Sequence, residues 1–224
     1  MTSCYNTRPL CLARGIQFYR QGCSRVALAF TWPVESSDSI MARGAFLPEE
    51  FFARDTLTVA RELIGAVLVV GECEGRIVET EAYTTDAASH AVMRRNQASL
   101  MRETFGHIYI HLNYGIHRCL NLTTERADVG AVLIRAVEPL KGIDLMIERR
   151  GVSDLKKLAS GPGRLAQAFA IKPEWNGKAL GREIKVKGRD AIPEISTSAR
   201  IGITRATDLE WRFTETGSPF TSRR

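Results

Sequence analysis

Two β-rich runs joined by a five-residue turn constrain the fold of this chain more than any other feature of its sequence. Residues 66–70 read AVLVV, residues 71–75 read GECEG, and residues 76–82 read RIVETEA. Two such runs separated by a short connection with glycine at both ends are typical of a β-hairpin, whose strands pair antiparallel. The sequence therefore predicts an antiparallel sheet that contains this hairpin.

The segments around the hairpin predict further strands and a few helices. Residues 55–65 read DTLTVARELIG, which indicates a helix that Asp55 caps and Gly65 ends. A second hairpin is expected in residues 107–124, and a further strand in residues 131–137.

The second half of the chain begins with helical periodicity. Residues 138–171 predict two helices, with Ser153 and Ser160 as candidate caps. Strand-like alternation then returns in three segments, which are residues 182–188, 199–206 and 211–213.

Strands joined by short connections, with helices segregated between them, predict an α+β fold. We expect a single mixed domain over residues 46–224, in which helices flank a curved, largely antiparallel sheet with a protruding β-hairpin. Residues 1–45 show no sustained period, so we expect an N-terminal extension that is poorly ordered.

Charge and composition limit the partners of the chain. The 224 residues are 44% apolar, enough for one core. The net charge of +6 favours an acidic partner such as nucleic acid, but a merely basic surface would explain the same excess. The five cysteines have no paired spacing, which argues against a disulfide framework and fits a reducing cytoplasm. The apolar runs are too short to span a bilayer. We therefore expect a cytoplasmic monomer, associated with the nucleoid if bacterial, that has no membrane partner.

Glu79 and Glu81 lie two residues apart on a predicted strand, so they share one face of the sheet. If that face lines a cleft, one of the two is a candidate general base, because burial and mutual repulsion raise at least one pKa. If the face is open to solvent, both residues serve only solubility. From the pattern alone the exposed arrangement is favoured.

Several aromatic side chains lie near the ends of predicted strands. Tyr83, His90 and His111 have flat rings that could stack on a nucleic-acid base, although each alone is as readily explained by packing or exposure. Tyr114 is expected at the tip of the second hairpin, where it either folds back on the core or inserts into the gap left by an extruded nucleotide.

Neither a metal nor a cofactor is expected. His107, His111 and His117 fall within eleven residues, but no Asp, Glu or Cys lies at ligand spacing beside them. Residues 160–163 read SGPG ahead of a predicted helix and are a weak signal for phosphate binding. The motifs of nucleotide hydrolases, dinucleotide-binding enzymes and serine hydrolases are absent from the sequence.

Five separated segments in one order resemble the alkyladenine (3-methyladenine) DNA glycosylase family. They read GRIVETEAY, HIYIHLNYGIHRCLN, AVLIRAVEPLKG, SGPGRLAQAFAI and, near the end, RIGITRA, WRF and GSP. The similarity runs from about Pro48 to Pro219 and excludes the N-terminal extension. It implies excision of alkylated or deaminated purines from damaged double-stranded DNA.

The resemblance also implies a role for each matching residue. Glu81 matches the general base that activates water, and Arg135 the arginine that helps to hold that water. The matching positions around the flipped base are Tyr83, His90 and His111, which sandwich it, Asn121, which reads the purine edge, and Tyr114, which intercalates into the duplex.

Two features of the matched segments bear on chemistry and on substrate range. They contain no lysine to form a Schiff base with the sugar, so the resemblance implies a monofunctional enzyme that uses water. His111 stands where family members often have tyrosine, which gives a smaller and titratable stacking surface. Two other functions stay open, which are a non-catalytic nucleic-acid-binding domain on the same scaffold and a hydrolase of free ribonucleosides.

Overall fold

An eight-stranded sheet forms the centre of the computed structural model, which describes residues 44–93, 99–113 and 115–222. Its strands are β1 (Val67–Val70), β2 (Cys73–Tyr83), β3 (Ile108–Asn113), β4 (His117–Thr124), β5 (Gly130–Lys141), β6 (Lys185–Lys187), β7 (Ile195–Ser198) and β8 (Arg212–Glu215). The order is β3-β4-β5-β2-β1-β6, with β8 beside β2 and β7 beside β8. All of these pairs are antiparallel, which confirms the predicted α+β fold and both predicted hairpins. The predicted extension lies outside the described residues, apart from residues 44 and 45.

Short helices flank the sheet. They are α1 (Glu49–Phe52), α2 (Thr56–Glu62), α3 (His90–Met93), α4 (Ser99–Glu103), α5 (Ile143–Arg150), α6 (Leu155–Leu158) and α7 (Pro162–Ala168). Asp55 caps α2 as predicted, because its carboxylate accepts a hydrogen bond from the Thr58 amide at 2.8 Å. Within the described residues, none of the helices has the length and apolar character needed to cross a bilayer.

Strand β2 organises the sheet because it pairs with three other strands, β1, β5 and β8. Its pairing with β5 is interrupted by register shifts on both sides of Glu79 and again between Glu74 and Gly75. Irregularities of this kind bend a strand and increase its twist, so the sheet curls into a half-barrel. The expected curvature of the sheet is therefore confirmed, and its strongest irregularity lies beside the two glutamates.

The strand predicted for residues 199–206 is wrong. The strand β7 lies just before this segment, and residues 199–206 are irregular. Their polar groups bind side chains instead of a neighbouring strand, since the Ile201 amide donates to Glu81 and the Arg200 guanidinium binds Asp86. A pattern of alternating residues cannot reveal such partners, which are more than 100 positions away in sequence.

The predicted helix caps at Ser153 and Ser160 are also wrong. Three helices, not two, form within residues 138–171. Asp154 caps α6 by accepting a hydrogen bond from the Lys156 amide at 3.0 Å. The Ser160 hydroxyl instead accepts a hydrogen bond from the Arg164 guanidinium, so α7 begins after Gly161 with no side-chain cap.

Gly75 allows α7 to pack close to the sheet. A Cβ atom at this position would lie 2.7 Å from Val137 Cγ2 and 3.0 Å from Phe169 Cζ, distances shorter than ordinary van der Waals contact. Val137 and Phe169, the residue that ends α7, are both buried in the main core. The close approach of helix and sheet therefore requires glycine here.

Substitution Gly75→Ala is expected to lower the free energy of unfolding by about 1–3 kcal/mol, because an added buried carbon forces its neighbours off their preferred rotamers. Val137→Ala removes the methyl that the new Cβ would meet, so it should cost less in Gly75→Ala protein than in the wild type. Urea denaturation of the four proteins measures both effects. Equal costs of Val137→Ala in the two backgrounds would contradict the close approach.

Candidate active site

Glu79 and Glu81 are both fully buried, with 0% of either residue exposed, so the exposed arrangement favoured by the sequence pattern is wrong. They project from β2 where it lies between β5 and β8, and Glu81 is opposite Leu133 on one side and Arg212 on the other. Two buried carboxylates so close in sequence need positive partners. Arg135 supplies one, because its guanidinium contacts both.

Glu79 has the larger set of partners. Its Oε1 accepts hydrogen bonds from Arg135 Nε at 2.8 Å, from Arg212 Nε at 2.8 Å and from Ser222 Oγ at 2.7 Å. Its Oε2 accepts a hydrogen bond from the Ser222 amide at 2.5 Å. Burial by itself raises the pKa of Glu79, but Arg135, Ser222 and Arg212 outweigh it and hold the pKa below its usual value. Glu79 is therefore ionised at neutral pH and joins three strands and the C-terminal segment.

Glu81 accepts fewer hydrogen bonds than Glu79. Its Oε2 accepts hydrogen bonds from the Tyr83 hydroxyl at 2.9 Å and from Arg135 Nη1 at 3.2 Å, and its Oε1 accepts one from the Ile201 amide at 2.6 Å. Burial raises the pKa of Glu81, and Arg135 and the other donors offset only part of that shift. A carboxylate whose pKa is raised is a stronger proton acceptor when ionised, which suits general-base chemistry.

Arg135 and Tyr83 keep fixed protonation states beside Glu81. Burial lowers the pKa of Arg135, but the two glutamates more than reverse this effect and leave it above its usual value. Burial and the charge of Glu81 raise the pKa of Tyr83, so its hydroxyl keeps its proton and donates it to Glu81 in a hydrogen bond. Glu81 is therefore the group of this trio that is suited to accept and release a proton.

A cavity of about 340 Å³ opens beside Tyr83 and Arg135, which both line it. That volume is at the lower end of the range for small-molecule sites, about 300–1,000 Å³. Five of the residues singled out from the sequence line it, namely Tyr83, His90, His111, Asn121 and Arg135. Glu81 lies behind the wall, and all three of its hydrogen-bond donors, Tyr83, Arg135 and Ile201, line the cavity. Tyr114, the predicted intercalating residue, lies outside the described residues.

The ring-bearing residues of the cavity contact one another. The ring centroids of His90 and His111 are 4.4 Å apart with their planes at 86°, and His90 Nδ1 lies 2.8 Å from the Tyr109 hydroxyl. The perpendicular arrangement means that these two rings do not face each other as a sandwich in this structure. Asn121 Nδ2 lies 3.0 Å from His111 Nδ1 and also donates to the Tyr109 carbonyl at 3.0 Å.

A second cavity, of about 440 Å³, adjoins the first and shares Asn113, Cys119, Arg135 and Pro162 with it. Arg150 and Arg164 line it, and within the described part of the chain neither forms an ion pair with a carboxylate. Burial and the charge of Arg164 lower the pKa of Arg150. Both guanidinium groups donate to neutral oxygens of Leu158, Gln167 and Ser160, so this cavity carries positive charge next to the first.

Sequence reasoning missed three residues around the two glutamates. Arg212 and Ser222 bind Glu79, and Arg200 contacts the Tyr83 ring. Arg212 lies in residues 211–213, which were expected to close the sheet, and Arg200 lies in the segment RIGITRA that carries the family resemblance, but neither signal identified the residue's partner. Ser222 lies in the C-terminal segment and has no recognisable motif.

Among the described residues, no three His, Cys, Asp or Glu side chains lie close enough together to hold a metal ion. Burial raises the pKa of the Cys119 thiol, which lines both cavities, to about 11.

Three curated proteins are similar to this chain over most of their length. A curated protein of Agrobacterium fabrum is 49% identical over 183 residues, which cover 80% of this chain and 93% of that protein. A protein of Nitrosospira multiformis is 47% identical over 186 residues, covering 79% and 93%. One of Chlorobaculum parvum is 47% identical over 190 residues, covering 79% and 90%. All three carry the provisional name 3-methyladenine DNA glycosylase.

The sequence profile of the methylpurine-DNA glycosylase family matches residues 50–219, which include every described strand and helix of the two cavities. The matched region is well over half of the chain and contains each residue singled out around Glu81 except Ser222. On these grounds the chain belongs to the methylpurine-DNA glycosylase family, and the resemblance seen in the sequence is confirmed.

Proposed function

We propose that this chain is a monofunctional DNA glycosylase that flips alkylated or deaminated purines out of duplex DNA and hydrolyses the N-glycosidic bond with water activated by Glu81. The observation that supports this most strongly is the cavity lined by Tyr83, His90, His111, Asn121 and Arg135, with Glu81 directly behind Arg135. A non-catalytic DNA-binding domain would gain nothing from a buried carboxylate, because negative charge weakens binding to phosphates.

The proposed reaction begins with extrusion of the nucleotide, because a stacked base hides its glycosidic bond. Extrusion costs a few kcal/mol and is cheapest for damaged or mispaired bases. Water then attacks the sugar C1′ through an oxocarbenium-like transition state, a new C–O bond forms, and the purine leaves with the electrons of the C–N bond. Glu81 accepts the proton of that water and stabilises the positive sugar, while Arg135 helps to orient the water. The product is an abasic site.

Recognition of the base in this proposal relies on Asn121 and His111. Asn121 Nδ2 donates to the carbonyls of Tyr109 and Cys119, so the amide oxygen is the group left to accept a hydrogen bond from a bound purine. The same Nδ2 lies 3.0 Å from His111 Nδ1, which places the imidazole ring beside the amide that recognises the purine. The imidazole at position 111 offers a smaller ring for base stacking than the tyrosine often found there in the family.

Two surfaces next to the cavity suit duplex DNA. The cavity that contains Arg150 and Arg164 offers positive charge for the phosphates that flank the flipped nucleotide. The β3–β4 hairpin exposes two apolar side chains, since Leu112 is 51% exposed and Ile116 is 73% exposed. In this proposal the hairpin enters the duplex, and Tyr114 fills the gap left by the extruded nucleotide.

The proposed setting is the cytoplasm, where the enzyme acts as a monomer on damaged DNA. The two cysteines of the described residues, Cys73 and Cys119, are both free and buried, which suits a reducing compartment. No lysine occupies the family's matched catalytic positions, which supports hydrolysis by water without strand cleavage.

Glu81→Gln is expected to reduce single-turnover excision by at least about 100-fold, because general-base catalysis typically contributes about 10²–10⁴-fold. The variant should still bind the lesion, since glutamine keeps the shape of the side chain. The assay measures release of ethenoadenine, hypoxanthine or 3-methyladenine from a duplex with one lesion. Glu74→Gln is the matched control, because Glu74 is on the same strand but pairs with Lys141 and Lys187.

Full excision by Glu81→Gln would show that another group is the base. Tight, salt-sensitive binding to DNA with no excision of any of the three lesions by the wild type would instead favour the non-catalytic DNA-binding domain. Inhibition of the activity by free nucleoside but not by undamaged duplex would favour the nucleoside hydrolase.

Arg150→Gln and Arg164→Gln should each weaken binding to a lesion duplex and reduce the slope of log K against log salt by about 1, since each removes one phosphate contact. The single-turnover excision rate at saturating enzyme should change little. Fluorescence anisotropy across a salt series measures the slope. Arg182→Gln is the control, because Arg182 is exposed and lines neither cavity, and an identical slope for all four proteins would contradict the phosphate-binding role.

A further inference from the structure

We propose that Arg200, together with Asp86, is a positioning residue that holds Tyr83 and the Ile201 amide against Glu81. The inference rests on the proposed function and adds a layer of residues behind the cavity to which that function assigns no role. It depends on three sets of contacts, which are an ion pair, ring stacking and the placement of a backbone segment.

The ion pair between Arg200 and Asp86 is buried and bidentate. Arg200 Nη2 donates to Asp86 Oδ1 at 2.6 Å and Nη1 to Asp86 Oδ2 at 3.1 Å, while Nη1 also donates to the Ala82 carbonyl at 2.8 Å. The side chains are 0% and 5% exposed. Burial raises the pKa of Asp86, but the Arg200 hydrogen bonds and the Ala88 amide outweigh it and leave the pKa below its usual value. Asp86 therefore stays ionised and fixes the guanidinium in one orientation.

The guanidinium group of Arg200 stacks on Tyr83. Its central carbon lies 4.6 Å from the Tyr83 ring centroid and 5.1 Å from that of Trp211. Tyr83 lines the cavity and Arg200 does not, so the guanidinium contacts the ring from outside the cavity. This contact restricts the ring that donates to Glu81 and that, in the proposed function, stacks on the flipped base.

Arg200 also anchors the segment that follows it. The next residue, Ile201, donates its amide to Glu81 at 2.6 Å, and Ile201, Gly202 and Ile203 line the cavity. Residues 199–206 have no strand partner in the structure, so side-chain contacts, not a sheet ladder, determine their position. The Arg200 Nε has no acceptor among the described residues, so the buried guanidinium bears a desolvation cost that an apolar residue would avoid.

Two of the three hydrogen-bond donors to Glu81 therefore depend on Arg200. Tyr83 is restrained by its ring and Ile201 by its backbone, and only Arg135 donates to Glu81 without contacting Arg200. Donors to an ionised carboxylate favour the ionised form. If the two donors move away, Glu81 should hold its proton to higher pH. The other charged or titratable groups near Glu81 are Glu79 on β2, Cys119 on β4 and Arg212 on β8.

The test is a direct titration of Glu81 in the full chain by ¹³C NMR of carboxyl-labelled glutamate, with the Glu81 resonance assigned by its absence from Glu81→Gln. Arg200→Lys keeps the charge but cannot form the bidentate, stacked arrangement, and Asp86→Asn keeps the shape but removes the orienting charge. Both should raise the Glu81 midpoint by roughly one pH unit, the scale expected for a lost backbone hydrogen bond. Asp86→Asn reports the same effect if Arg200→Lys does not fold.

Arg76→Lys is the matched control, because Arg76 also bridges two carboxylates, Glu138 and Glu215, but lines neither cavity. It should lower the melting temperature without moving the Glu81 midpoint. An unchanged Glu81 midpoint in folded Arg200→Lys or Asp86→Asn would overturn the positioning role. The titration needs no turnover, so an inactive wild type would contradict the proposed function and leave this test intact.

Discussion

The contact of Arg135 with two neighbouring glutamates is the interaction on which the rest of this structure depends. Glu79 and Glu81 are both fully buried, and two carboxylates on one strand could not be buried together without a cation between them. Arg135 projects from β5, the longest partner of β2, so the ion pairs and the pairing of these two strands stabilise each other. Loss of either would leave buried charges without partners.

The two glutamates have different tasks because their surroundings differ. Glu79 accepts hydrogen bonds from Arg212 and Ser222 in addition to Arg135. It is therefore a fixed anion that links β8 and the C-terminal segment to β2. Glu81 lies behind the cavity wall, and its three donors, Tyr83, Arg135 and Ile201, line the cavity. One strand thereby carries a structural carboxylate and a carboxylate suited to accept a proton, and the difference arises from hydrogen bonds and not from residue type.

Short-range patterns in the sequence were enough to predict the sheet, both hairpins and the cap at Asp55, since each depends on residues close together in the chain. The burial of Glu79 and Glu81 was not predictable in this way, because Arg212 lies more than 130 positions from Glu79. The irregular segment at residues 199–206 was mistaken for a strand for the same reason. Tyr83, His90 and His111 were singled out as rings near predicted strand ends, Asn121 came from the family resemblance, and the structure brings all four to one cavity.

The pH dependence of single-turnover excision of 7-methylguanine shows whether an ionised Glu81 with a raised pKa is the base. This purine is already cationic and needs no protonation to leave, so the acid side of the profile reports the base. If Glu81 is the base, the excision rate should rise with pH through one ionisation and then level off. The midpoint of that ionisation should lie above 4.5, the ordinary pKa of glutamate. A midpoint at or below 4.5, or a rate that falls as pH rises through this range, would contradict it.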